Sequence, residues 1–213
     1  MVKVLRSYSP FPPIAWWAGI ADAGEILLDA AEHYRKMGGH NRYRVAAANG
    51  PLLLTIPLKG GRDQRSPVGD LVIDYSQDWV KQHWRTLFSA YGRAPFFEHY
   101  APPLRQLLHA RHERLSDLCG ATIEWLAQEM SWKKTFLAIT EYRKEWPEDI
   151  EDLRFRKEET PAAFPEYPQV FEQRYGFVPN LSLIDLLMNE GPAAAGWLRN
   201  HGPVIAASMD RSF

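Results

Sequence analysis

The chain has 213 residues, of which 46% are hydrophobic and 24% charged, with 25 Lys and Arg against 26 Asp and Glu. These proportions suit a globular protein with a sizeable core and exclude a disordered or fibrous chain. A formal net charge of -1 gives no global pull toward nucleic acid or an anionic membrane, so any anion site must be local.

At the N-terminus, "VKVLRS" reads as a short strand that ends in the turn-rich "YSPFPP". "IAWWAGIADAG" then has helical composition, and "EILLDA" reads as a second buried strand. Strand, loop, helix and strand in that order begin a βαβ unit, whose natural outcome is a parallel sheet. No stretch has the roughly 18 to 20 apolar residues of a membrane span, and no leader-like apolar run opens the chain. The expectation is a cytoplasmic protein, and the single cysteine, Cys119, fits a reducing compartment.

The stretch "GHNRYRVAAANGPLLLTIPLKG", residues 39–60, places two extended runs around Asn49-Gly50, a dipeptide that favours a hairpin turn. Pro51 lacks an N–H, so a four-residue loop over Ala48–Pro51 is expected, with Arg44 opposite Thr55, Arg42 opposite Pro57 and His40 opposite Lys59. Period-two alternation then puts His40, Arg42, Arg44, Thr55 and Lys59 on one face and Tyr43, Val45, Leu52, Leu54 and Ile56 on the core face.

After the basic loop "GGRDQRSP", a turn that could also wrap a phosphate, "DLVIDY" reads as a strand. "SQDWVKQHWRTLFSAY" is the clearest helix, with Ser76 or Asp78 as N-cap and Val80, Trp84, Leu87, Phe88 and Tyr91 along the core stripe. Pro95, Pro102 and Pro103 punctuate a linker, a helix over 104–130 breaks near Gly120, and "TFLAITEY" forms a further strand. Residues 143–166 read as a charged surface loop. "PNLSLIDLLMNEG" is a helix with Ser182 and Asp185 at capping-box spacing, and a short helix lies near "AAAGWLRN".

Zinc-binding H-E-x-x-H, paired cysteines, a P-loop, G-x-G-x-x-G and G-x-S-x-G are all missing from the sequence, and nothing in it names a cofactor. His83 borders the core stripe, where it could move a proton in a cleft or simply bond a backbone carbonyl. Ligands of open parallel sheets sit beyond the carboxyl ends of strands, which here is the "YSPFPPIAWW" loop with Tyr8 and Ser9. A phosphate or carboxylate could lie between that loop and the cations of the hairpin. The alternative is that Arg42 and Arg44 pair with Glu32, Asp29 or Asp74 in a structural network.

Pro12-Pro13, "EHYRK" at 32–36, Asn41-Arg42, Asn49-Gly50, Ile56-Pro57, Trp79, "HWR" at 83–85, "AYGRAPFFEHY" at 90–100, "YPQVF" at 167–171 and "PNLSLIDLLMNEGP" at 179–192 together resemble the WbqC-like family. The resemblance covers most of the chain, and its last block is the most specific. It implies a place in bacterial O-antigen or related surface-polysaccharide assembly. The combined expectation is an α/β fold: a mostly parallel sheet carrying an antiparallel hairpin, with helices around it. Its organisation is a core over 1–142, a charged loop over 143–166 and a helical region over 167–213 packed on the core. The expected function is a transferase moving an acyl or aminoacyl group to an activated amino sugar, with an anionic small molecule such as a nucleotide sugar as partner and no nucleic acid. Arg42, Arg44 and Lys59 would hold anionic oxygens, His83 would be the general base, Asn41 and Asn180 would orient the acceptor, and Trp79 would stack on a sugar or base. Competing expectations are a non-catalytic protein that binds a glycan or a partner's acidic segment, and a nucleotide-binding protein.

Overall fold

The computed structural model describes residues 2–36, 38–61, 65–154 and 161–209. Its fold is α/β. Strands β1 (Lys3–Ser7), β2 (Glu25–Asp29), β5 (Thr135–Ile139) and β6 (Ile150–Asp152) form a sheet in the order β5-β2-β1-β6. Every neighbouring pair in it is parallel, with Lys3 opposite both Glu25 and Ile150, so the carboxyl ends of β1 and β2 reach the same edge. The central strands read apolar because both faces are covered: Val4, Leu5, Ile26, Leu27 and Leu28 are all buried. A short helix α1 (Ile14–Ala18) supplies the crossover from β1 to β2.

The hairpin of β3 (Arg42–Ala47) and β4 (Gly50–Thr55) forms a separate two-stranded sheet. Its register differs from the expectation by two residues, for Arg42 pairs with Thr55 and Ala47 with Gly50. Gly50 takes the positive φ of 113° and the turn is Ala48-Asn49, one residue earlier than the Asn-Gly pair suggests. Pro51 is tolerated because it faces Ala46, whose N–H points out of the ladder to the Tyr91 hydroxyl at 3.2 Å. A slip of two leaves the faces unchanged, so Tyr43, Val45 and Leu54 are still buried, but Leu52, expected on the core face, is 41% exposed beside the turn. His40 departs from the expected cationic face, because it is completely buried below the hairpin.

Helix α2 (Trp79–Tyr91) starts at the Asp78 N-cap, whose carboxylate accepts from the Lys81 N–H at 3.3 Å. Its buried stripe is narrower than expected. Val80, Leu87 and Tyr91 are core, whereas Trp84 is half-buried and Phe88 is 57% exposed. Helix α3 (Phe97–His109) runs straight through Pro102 and Pro103, the residues expected in a linker. Two intrahelical bonds are lost there, and burial of Phe97, Tyr100, Ala101, Leu104 and Leu108 holds the helix together regardless. The break comes at Arg111, with φ at 51°, instead of at Gly120, which sits inside an uninterrupted α4 (Leu115–Glu129).

Two further expectations are corrected. "DLVIDY" is not a ladder strand: a 3-10 turn covers Val68–Asp70, and Val72 and Ile73 make isolated bridges to Arg114 and Leu58. The charged stretch 143–166 contains β6, which joins the sheet through backbone bonds although its sequence, Ile-Glu-Asp, has no apolar run; residues 155–160 lie outside the described residues.

Beyond a one-turn helix α5 (Glu172–Tyr175), the C-terminal region consists of α6 (Leu183–Glu190) and α7 (Ala194–Ser208). The last helix is longer than expected and continues past Pro203. Ser182 caps α6 by accepting from the Ile184 N–H at 3.3 Å, but Asp185 does not return the bond as a capping box would. Its carboxylate turns into the core, where it accepts from the Tyr167 hydroxyl at 2.7 Å and the Gln169 amide at 3.1 Å.

Candidate functional site

The carboxyl ends of β1 and β2 carry a cluster of buried and half-buried polar groups. β1 ends at Ser7, and its hydroxyl donates to Glu32 Oε2 at 2.5 Å. β2 ends at Asp29, whose Oδ1 accepts from the N–H groups of Ala31 at 2.9 Å and Glu32 at 3.0 Å. That Asx-type turn folds the chain back so that the Glu32 side chain returns over the end of β1. Asp29 Oδ2 accepts in turn from Arg154 at 2.8 Å, and the same guanidinium forks onto both oxygens of Asp152 at 3.0 and 2.7 Å. Bonds to two carboxylates raise the basicity of Arg154, Asp152 contributing most. The edge strand is therefore clamped to the turn that carries Glu32.

Glu32 is 5% exposed, and burial pushes its carboxyl up to about 7 against the lowering influence of Ser7, Arg35 and Arg154. Its second oxygen, Oε1, has no hydrogen-bond donor among the described residues; the nearest cationic groups are Arg35 at 3.8 Å and His40 Nε2 at 4.0 Å. His40 is fully buried, and burial lowers it to about 4, so its ring is neutral at pH 7. A carboxyl that titrates near neutrality and sits where strands end can take up and release a proton at physiological pH.

The loop after β1 is rigid for identifiable reasons. Phe11 sits in the left-handed region at φ 46°, its N–H donates to Thr122 at 3.2 Å, and its ring packs on Tyr43 with centroids 4.8 Å apart. Pro12 and Pro13 are pinned to the start of α6: Leu183 N–H donates to the Pro12 carbonyl and Ile14 N–H to that of Leu181, both at 3.0 Å. Below the cluster Arg6 is buried, donates to the carbonyls of Leu153 and Trp16 at 2.6 Å each, and has its pKa lowered by burial to about 9. That arginine ties β6 and α1 to β1.

The residues singled out from sequence are distributed differently. Arg42 and Arg44 are both half-buried on one face of the hairpin, with Arg42 donating to the Lys36 carbonyl. Lys59 is exposed beyond β4, where its N–H bonds the Val72 carbonyl at 2.9 Å. Asn41 is buried at the hairpin base, giving a hydrogen bond to the Ile56 carbonyl at 2.8 Å and taking one from Tyr34 at 3.3 Å. Asn180, at φ 55°, accepts from the Ala15 N–H at 2.9 Å and so caps α1 from a remote segment. Trp79 is buried against Tyr75 and His83. His83 bonds the Tyr43 hydroxyl through Nδ1 at 3.0 Å and the Thr55 carbonyl through Nε2 at 3.2 Å. Burial lowers it to about 4. Its neutral ring, engaged at both nitrogens, fastens α2 to the hairpin.

Sequence reasoning missed Ser7, Glu32 and His40 as a group. The available signal was positional: Ser7 closes the first strand and Glu32 follows the second by three residues, which is where the rule of strand ends directs attention. The buried Cys119 offers no nucleophile, since burial holds its thiol well above the ordinary range. Among the described residues no group of three or more His, Cys, Asp or Glu is arranged to hold a metal ion, and no helix is long and apolar enough to cross a membrane.

No solved structure matches the chain. A Mycobacterium tuberculosis (strain ATCC 25618 / H37Rv) protein, "Uncharacterized protein Rv1507c", is 25% identical over 238 residues, an alignment covering 93% of this chain and 98% of that protein. The model of the WbqC-like protein family matches residues 9–160 and 144–196, a range that takes in the loop after β1, Glu32, the hairpin and α6. On that match the chain belongs to the WbqC-like protein family.

Proposed function

We propose that this protein is a cytoplasmic transferase of surface-polysaccharide (O-antigen) assembly, moving an acyl or aminoacyl group onto the amino group or hydroxyl of an activated sugar. The observation that carries the reading is the Ser7–Glu32 pair at the carboxyl ends of β1 and β2, with Glu32 Oε1 buried and lacking a donor among the described residues. A carboxylate poised near pH 7 is suited to draw a proton from an attacking amine or hydroxyl and to return it to the leaving group. The acceptor's own N–H or O–H would supply the donor that Oε1 lacks. Ser7 keeps the carboxyl oriented, and neutral His40 adds no charge that would hold Glu32 ionised.

In this reading Glu32 takes the base role that the sequence suggests for His83, because both His83 nitrogens are already engaged. Arg42, Arg44 and Lys59 are the cations assigned to the anionic oxygens of the donor molecule. Asn41, Asn180 and Trp79, proposed to orient and stack on the acceptor, are held in place by the backbone and ring contacts described above.

The test is a thermal-shift screen of the intact chain against acyl thioesters, amino acids and nucleotide sugars, followed by mass spectrometry of mixtures containing a stabilising donor and acceptor. Specific binding raises the melting temperature through linkage. Mass transfer that disappears in Glu32→Gln while ligand stabilisation persists supports the proposal. Transfer undiminished in that variant removes Glu32 as the base, and binding without any transfer favours a non-catalytic assembly factor.

A further inference from the structure

A second feature lies outside that cluster, on the outer side of the helical pair α2 and α3. A groove of about 580 Å³ runs between them. Its apolar wall consists of Trp84 and Phe88 from α2 with Phe97 from α3, and Arg105, Gln106 and His109 of α3 form its polar edge. Phe88 is 57% exposed, an unusual placement for a phenylalanine that packs edge-on to Phe97 at 5.5 Å. The Arg105 guanidinium lies 5.6 Å from the Trp84 ring.

Charge around the groove is one-sided. Residues 79–111 contain Lys81, Arg85, Arg93, Arg105 and Arg111 against a single acid, Glu98, although the whole chain has a net charge of -1. On α2 the exposed Lys81 and Arg85 stand one turn apart, and helical spacing sets them beside the Trp84–Phe88 stripe on its solvent side. Arg105 and His109 stand one turn apart on α3, along the opposite edge. The apolar strip is therefore bordered by Lys81 and Arg85 on one side and by Arg105, with His109 one turn on, on the other, and among the described residues no carboxylate lines it.

We propose that this groove is a docking surface for an acidic amphipathic helix of a partner protein. Such a helix has an apolar stripe flanked by carboxylates at i and i+4, which complements both the aromatic floor and the spacing of the basic rims. A phosphate-bearing small molecule would call for cations converging on one point, whereas these are spread along about one turn on each of two helices. A strand partner is disfavoured because both walls are helices that offer no open backbone edge.

The test uses two synthetic helical peptides of roughly 14 residues, about 20 Å of helix. They share one leucine stripe, flanked by glutamate in the first and lysine in the second, and each is titrated into the 15N-labelled full chain. The glutamate peptide is expected to shift the amide signals of residues 84–88, 101 and 104–109 and to bind at least about tenfold more tightly than the lysine peptide, with the difference shrinking as salt rises. Phe88→Ser and Arg105→Glu alter solvent-facing side chains and should keep the wild-type melting temperature while each weakens binding by about tenfold. Equal binding of the two peptides, shifts located elsewhere, or no binding by either overturns the proposal. So does perturbation of the same residues by anionic vesicles or single-stranded DNA in place of the peptide.

Discussion

Glu32 and Asp185 are both buried carboxyls, and burial raises both, to about 7 and about 6. Each keeps one oxygen outside any hydrogen bond among the described residues. Their surroundings differ. Asp185 lies in the core on α6, held by Tyr167 and Gln169, with the Tyr91 hydroxyl further favouring its charged form. Gln169 is in turn closed on both sides by the backbone of Val178, at 2.9 Å each way. Those donors come from separate segments, so the carboxylate joins α2 and the 167–169 stretch to α6. Glu32 receives one serine hydroxyl and stands at the sheet edge beside the exposed Arg35 and the half-buried Arg154. The first arrangement is a structural knot, and the second leaves one buried oxygen without a donor among the described residues. A raised pKa does not separate the two, but the number and origin of the donors do.

The sharpest way to break this contrast is substitution at the two acids. Glu32→Gln should lower transfer by about 10²- to 10⁴-fold, the usual worth of a general base, while the fold loses no stability at neutral pH. Asp185→Ala should do the opposite: a loss of about 3 kcal/mol in denaturant-measured stability, because Tyr167 and Gln169 lose a buried charged acceptor, with turnover per folded molecule retained. If both variants lose activity in proportion to stability, the two regions are not distinct in kind.

A pH series sharpens it further. A carboxyl whose folded pKa lies above its unfolded value stabilises the fold fully below the unfolded pKa and loses that contribution as pH rises through the folded one. Glu32, moved from 4.5 to about 7, should therefore penalise the wild type by about 3 kcal/mol between pH 4.5 and 8, so the Glu32→Gln minus wild-type stability difference should climb across that window. His40 and His83, both lowered to about 4, act with the opposite sign and lose stability as pH falls below 6.5. They are common to both proteins and cancel in the difference.

Smaller effects test the structural residues. His83→Ala should cost about 2 kcal/mol, since it strands the buried Tyr43 hydroxyl and the Thr55 carbonyl, and should leave kcat within a few-fold of wild type. A kcat loss on the scale of Glu32→Gln would return the base role to the histidine. Asn180→Ala should cost about 1 to 2 kcal/mol, combining a lost cap on α1 with strain at φ 55°, and Asn180→Gly should cost less because it relieves only the strain.

Much of the architecture was legible in the order of residues. The strands "VKVLRS", "EILLDA" and "TFLAITEY" announce themselves as short apolar runs, α2 by its Asp78 cap, and most of the two faces of the hairpin by alternation. Alternation survives a two-residue slip, so it could assign the faces but not the turn. Pro102, Pro103 and Gly120 misled for one common reason: local propensity at those positions is outweighed by the apolar faces that α3 and α4 bury. β6 was illegible because an edge strand of three residues is held by the backbone of β1, to which side-chain pattern contributes nothing.

Sequence alone determined the class of fold, the family and the local signals that start and stop most helices, since these depend on residues near one another along the chain. Tertiary structure alone decided which polar groups are buried against one another. Ser7, Glu32 and Arg154 come from separate stretches of the chain, and the parallel sheet brings them together, with Ser7 and Glu32 buried and Arg154 half-buried. His83 looks the same in sequence whether it faces a cleft or a carbonyl, and the fold gave it the carbonyl. The energy of a polar group depends on its burial and partners, and both are properties of the packed molecule.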